Sequence, residues 1–406
     1  MRFWLQKKPG LVAVMVVVLV VCGVLGWQWL DEAQASGASA TAAGTPSGVG
    51  SALASPSTPA SGARGPFSAA GLASRQEQLA LWQQRYERAE QVYSSYRDAT
   101  RYPHESRPLS EHPDQVRPFD PVSEDKALRD AAGKAVKGIR LRTTQERVFL
   151  GGTESVKFTV SAVDDKGNPV ALVVNNARAQ TIPDTTALIS VISAEVPFSD
   201  NGTDADAAAS DGTYSARLTP SAQGFAQHAG TIRLLAQVTA QGETGVAHFD
   251  VVYAPLVPAT WAGVREAVEG GSLNFYLKAQ VKVAGRYVVS ARVFDAKGAP
   301  FALLQFNDEV PAGTAEFKLN LFGALIRDKN PAFPLRLVDV DGFLLQADTF
   351  PDRALMARQG GVVHTSQRYS TDSFSPAEWT SQERERYLAE YGRDVQEAQD
   401  QLNRLK

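Results

Sequence analysis

Apolar residues at alternate positions, in short runs separated by turn residues, constrain this chain more than any other feature. Val156, Phe158, Val160 and Ala162 alternate with polar neighbours, and Gly230 to Ala240 and Val246 to Tyr253 repeat the pattern. That is the period of a strand with one face buried. A second set runs from Leu273 to Val283, Tyr287 to Phe294, Ala315 to Phe322 and Phe343 to Phe350. No helix-length amphipathic segment separates the strands within either set, which argues against a parallel βαβ sheet. The expectation is a mainly β chain with two immunoglobulin-like antiparallel β-sandwiches, residues 138–256 and 257–357. An internal echo fits two related units: Asp164-Asp165-Lys166-Gly167-Asn168-Pro169-Val170-Ala171 and Asp295-Ala296-Lys297-Gly298-Ala299-Pro300-Phe301-Ala302 both read D-x-K-G-x-P-x-A. Two unrelated hairpins converging on one turn chemistry would read the same way.

The chain has 406 residues, too many for one ordinary core once a low-complexity N-terminal region is set aside. From Leu11 to Leu30 the side chains are almost all apolar, and about 20 such residues span a bilayer as a helix. Arg2, Lys7 and Lys8 precede this run, and Asp31 and Glu32 follow it. The positive-inside rule then predicts a cytoplasmic tip and inner-membrane anchor over 1–30, with the C-terminal bulk in the periplasm. Ala33-Gln34-Ala35 has the form of a signal-peptidase site, so a cleaved signal peptide is the alternative. A lipoprotein reading of Leu19-Val20-Val21-Cys22 lacks the small residue expected before the cysteine. Residues 31–71, mostly Ala, Ser, Gly, Thr and Pro, read as a disordered linker. Cys22 is the only cysteine, so the exported part forms no internal disulfide. A net charge of −3 with both signs dispersed gives no footprint for nucleic acid.

Two amphipathic helices bracket the strands. Residues 72–101 open on the capping box Ser74-Arg75-Gln76-Glu77 and carry Leu79, Trp82, Tyr86, Ala89, Tyr93 and Tyr96 in heptad spacing. Residues 358–406 lose the β pattern and show a second box, Ser375-Pro376-Ala377-Glu378. A stripe of Tyr387, Tyr391, Val395, Ala398, Leu402 and Leu405 follows. The helices are expected to pack on one another or on the sheets, or to leave one stripe for a partner. Between the first helix and the first sandwich, 102–137 form a segment whose prolines at 103, 108, 113, 118 and 121 enforce extended geometry and exclude a central strand.

The chemistry is concentrated between Phe198 and Tyr214. Asp200, Asp204, Asp206 and Asp211 offer carboxylates, Asn201 an amide oxygen, and Gly202 and Gly212 the freedom to fold round a small centre. These five oxygen-bearing residues are the candidate calcium ligands, with Asp211 expected to close the loop. The spacing is not that of an EF-hand, since Gly202 and Ala205 fall where a ligand and a glycine are required. A long hairpin loop held by Asx-turns is the competing reading. No nucleophile elbow, P-loop, dinucleotide fingerprint or zinc spacing occurs, and the five histidines are scattered. No catalytic residue is nominated. Asp339 and Asp341, before Gly342, read as a hairpin turn.

The D-N-G-x-x-x-D-A-A-A-x-D-G-x-Y pattern of this loop resembles that of bacterial exported proteins with a choice-of-anchor X domain. It is also similar to a loop in the β-sandwich of calcium-activated chloride channel regulators. The likeness extends through RYPHESRPLSEHPDQVRP to AGTAEFKLNLFGALIRD. It implies an exported, surface- or envelope-anchored protein with no established catalytic residues. This chain departs from members named for C-terminal anchors, because its apolar run is N-terminal. The combined expectation is a single-pass envelope protein that binds or scaffolds a protein or envelope partner, with calcium as the candidate ion. A periplasmic accessory or hydrolytic enzyme is the alternative.

Overall fold

The structure, a computed structural model, describes residues 69–130, 132–183 and 191–406. The expected anchor over 11–30, Cys22 and the expected linker up to residue 68 lie outside the described residues. What is described is mainly β, in several antiparallel sheets over two hydrophobic cores.

The first core lies between two sheets. One has the order β2 (Val122–Arg129), β3 (Ala135–Gln145), β5 (Val156–Val163), β6 (Pro169–Val170), with β9 (Tyr214–Leu218) also on β5. The other runs β4 (Phe149–Gly151), β11 (Glu243–Ala254), β10 (Gly230–Ala240), β7 (Leu172–Thr181), β8 (Ser193–Glu195). Strict alternation in β5 and β10 sends Val156, Phe158, Val160, Ile232, Leu234 and Val238 inward, each fully buried. One pairing departs from the antiparallel expectation: β4 lies parallel to the end of β11. The first unit also starts earlier than residue 138, because β2 is paired with β3 from Val122. β2 is exposed at nearly every position and so carries no burial pattern to read.

The second core lies between β12 (Ala259–Glu269), β13 (Ser272–Val281) and β16 (Gly313–Leu321) on one side and a larger sheet on the other. That sheet runs β1 (Ser106–Pro108), β15 (Pro300–Val310), β14 (Gly285–Phe294), β17 (Arg336–Leu345), β18 (Arg353–Leu355), with β19 (Gln359–Thr365) also on β17. The proline-rich segment therefore contributes a short edge strand, β1, the one sheet position that tolerates Pro108. β19 corrects the expectation that the β pattern ends at Ala357. It is irregular, shifting register twice against β17. Asp339 and Asp341 are not a hairpin turn either. They sit inside β17 at its bulge, Asp339 with φ +53°.

The echoed octapeptides build the same turn atom for atom. In the first, Asp164 Oδ1 accepts from Lys166 N and Asn168 N, both at 2.8 Å, and Gly167 N donates to Asp164 O. In the second, Asp295 Oδ1 accepts from Lys297 N at 2.9 Å and Ala299 N at 2.8 Å, and Gly298 N donates to Asp295 O. They join β5 to β6 and β14 to β15.

Helix α1 (Ala69–Ala99) and helix α3 (Gln382–Leu405) form an antiparallel pair, while α2 (Gly323–Lys329) is a short helix buried over Gly323 to Ile326. Tyr96 meets Tyr387 and Tyr391 edge-on at 5.7 and 5.3 Å, and at the far end Arg75 donates to the carbonyls of Leu405 and Lys406. The two stripes thus cover each other. Both capping boxes are misplaced. Ser74 lies inside α1, which already includes Ala69. Ser375 instead forms a turn with Ala377 N, and Ser381 caps α3 by accepting from Arg384 N. The hairpin is fastened to the second core by charge. Arg101 makes a two-pronged bond to Asp328 at 2.6 and 3.0 Å and bonds Glu378 at 2.6 Å; Glu378 also receives buried Arg384 at 2.5 Å. Tyr102 OH donates to Asp328 as well, and its pKa is pushed up to about 12, chiefly by burial.

Candidate functional site: an acidic loop

The loop from Phe198 to Tyr214 leaves the first core through an antiparallel bridge, Ser199 and Ser215 exchanging both backbone bonds at 2.9 Å. Asp200 then ties the two ends together, because its carboxylate accepts from Asp211 N at 3.1 Å and Gly212 N at 3.0 Å. Closure is the work of Asp200, not of Asp211 as expected. Asp206 is the pivot of the interior. It is 7% exposed and accepts from Gly202 N at 2.6 Å and from Ser215 Oγ at 3.3 Å. Gly202 is obligatory here: φ is +71°, and a Cβ would lie 3.0 Å from Ala209 N. Asp211 bonds Thr213 N in an Asx-turn at 2.8 Å.

Three of the five expected ligands are brought together. One oxygen from each of Asp200, Asp206 and Asp211 lies within 4.8 Å of the others. Oxygens about 2.4 Å from a calcium ion can stand up to about 5 Å apart, so the spacing and the all-carboxylate donor set suit a hard divalent cation. Asp204 is not in the group. Asn201 Oδ1 accepts from the backbone and hydroxyl of Thr203 at 3.0 and 2.8 Å, and Asp204 is exposed with φ +55°.

The other polar clusters join segments. Arg292, 2% exposed, donates to Asp341, to Asp339 O, and to both the backbone and side-chain oxygens of Gln115. It thereby binds the proline-rich segment to β14 and β17. Glu266 on β12 accepts from His364 at 2.9 Å, Gln367 N at 2.7 Å and Tyr369 OH at 2.9 Å, holding the chain beyond β19 against the smaller sheet. The Tyr369 phenol is pushed up to about 12 by burial and by this carboxylate. Sequence separation hid both clusters, since nothing local marks His364 as a partner of Glu266.

Fold and loop together define a β-rich protein of two sheet pairs, one bearing an acidic loop that gathers three carboxylates. No protein-family model and no curated protein matches the chain. Among solved structures, it is similar to a DUF4785 family protein from Legionella pneumophila, with 14% identity and a TM-score of 0.37, over 55% of this chain and 57% of that one. Dimeric latent PorU from Porphyromonas gingivalis is similar at 8% identity and a TM-score of 0.17, over 61% of this chain and 34% of PorU. The chain thus spans little more than half of the first and about a third of the second.

Proposed function

We propose that this chain is a single-pass bacterial envelope protein whose two immunoglobulin-like β-sandwiches bind or scaffold a protein partner, with calcium stabilising the first sandwich at Asp200, Asp206 and Asp211. One observation carries the reading. The buried charged groups Arg292, Glu266 and Arg384 are each consumed by bonds between distant segments, so they hold a shape instead of facing a reactant. The resemblance of the acidic loop to those of choice-of-anchor X proteins supports the same assignment, as does the apolar run 11–30 with its flanking charges. The carboxylate trio is placed on a loop that closes a strand bridge, which fits an ion that stiffens a scaffold.

Placement in the envelope has a direct consequence. Protease added to spheroplasts should digest the sheet pairs of the intact chain while Lys7 and Lys8 stay protected. Protection of the sheet pairs until the membrane is opened would overturn the orientation, and a mature N-terminus at Ser36 would replace the anchor by a signal peptide.

A further inference from the structure

We infer that the open side of the second sheet pair, between the stretch of β15 that β1 leaves uncovered and the edge strand β16, receives an extended basic peptide by strand addition; the inference deepens the binding-module reading and rests on it. β15 and β16 are consecutive strands that end up in different sheets, each at or next to an edge. Between them runs a groove of about 590 Å³. β1 shows that the β15 edge accepts a strand, but it pairs only with Ala302, Leu303 and Leu304. Past that point the proline-rich segment turns away, Ser106 N donating back to Pro103 O, and its last bond to the edge is from Gln305 N to Glu105 O at 2.9 Å. Alternate residues of an antiparallel strand face the same side. Asn307 therefore directs its N–H and C=O outward, where β1 no longer runs. At the next outward position, Asp308 Oδ1 already caps Glu309 N at 2.8 Å. The unpaired stretch is short and centred on Asn307.

The walls say what would fit. Phe306, Phe322 and Trp379 provide apolar surface, and each is only half-buried. Glu105, Glu269 and Asp308 line the groove against one ammonium, Lys318. Edges of natural sheets are blunted by charge, and here that charge is negative. A second copy presenting the same edge would meet like charges, whereas a strand with Lys or Arg at alternate positions meets opposite ones. Main-chain bonds to Asn307 would hold such a strand, and the acidic rim would select it.

The test uses the full chain and an eight-residue peptide of alternating lysine and valine, with calorimetric titration. A single site is expected, at least tenfold weaker for the glutamate–valine counterpart. Methylating alternate backbone nitrogens of the peptide should also weaken binding at least tenfold, and this arm needs no protein variant. Asn307→Pro should do the same and Asn307→Ala should not, because both lose the 2.7 Å bond from Arg286 Nε to Asn307 Oδ1 while only proline removes the outward nitrogen. No binding of the lysine–valine peptide overturns the proposal, as does equal binding of the methylated peptide or of the acidic one. These failures would concern the groove alone, since the binding-module reading is decided separately by what the chain captures in its envelope.

Discussion

Calcium at 100 times its dissociation constant is expected to raise the stability of the chain by about 2.7 kcal/mol, and chelator to remove that gain. Asp200, Asp206 and Asp211 crowd three carboxylates into one site, and a divalent cation turns their mutual repulsion into common attraction. Asp211→Ala should abolish the calcium response at little other cost, because the Asp211 carboxylate accepts from Thr213 N alone while its backbone bond to Asp200 is kept. Asp206→Ala should cost more, about 2–3 kcal/mol even without calcium. It leaves Gly202 N and the buried Ser215 hydroxyl without their acceptor. Melting followed with calcium and with chelator separates the two contributions. If neither changes the melting temperature while Asp206→Ala still destabilises, Asx hydrogen bonds hold the loop and the metal reading fails.

The helical hairpin should come away from the second core in acid. Arg101 hydrogen-bonds Asp328 and holds its carboxyl below the ordinary value of 3.8. A carboxylate depressed in the folded state contributes its full stability above the unfolded value. That contribution is lost as the pH falls from about 3.8 through the depressed folded value. Arg384→Ala should loosen the same joint at neutral pH by about 2–3 kcal/mol, because it removes charge-assisted bonds made by a buried side chain. Deleting residues 376–406 goes further and uncovers the Trp82, Tyr86, Tyr93 and Tyr96 stripe. Binding of an apolar dye should rise and the protein should associate. A truncated chain with unchanged melting and association state would show that the stripes do not depend on each other.

Strands that bury one face were legible because alternation records burial directly, as in β5, β10 and β13. Strands without a buried face were not. β2 is exposed along nearly its whole length, and β1 and β19 exist because a neighbour has an edge to cover. Both stripes of the hairpin could be read in advance, but which surface covers them could not, since a stripe says only that it needs cover. The acidic loop shows the same division. Its composition marked the site, yet local sequence could not show that Asp200 reaches across to Asp211 and Gly212 or that Asp206 turns inward to Ser215. Arg292 and Glu266 lay beyond reading altogether, as their partners are distant in sequence.

The most direct test of a binding or scaffolding role is crosslinking of the intact chain in its native envelope, followed by identification of what is captured. A defined partner, captured reproducibly through residues of the sheet pairs, is the expected result. Absence of any captured partner, together with turnover of an envelope-derived substrate by the purified chain, would contradict that role and establish the enzyme reading.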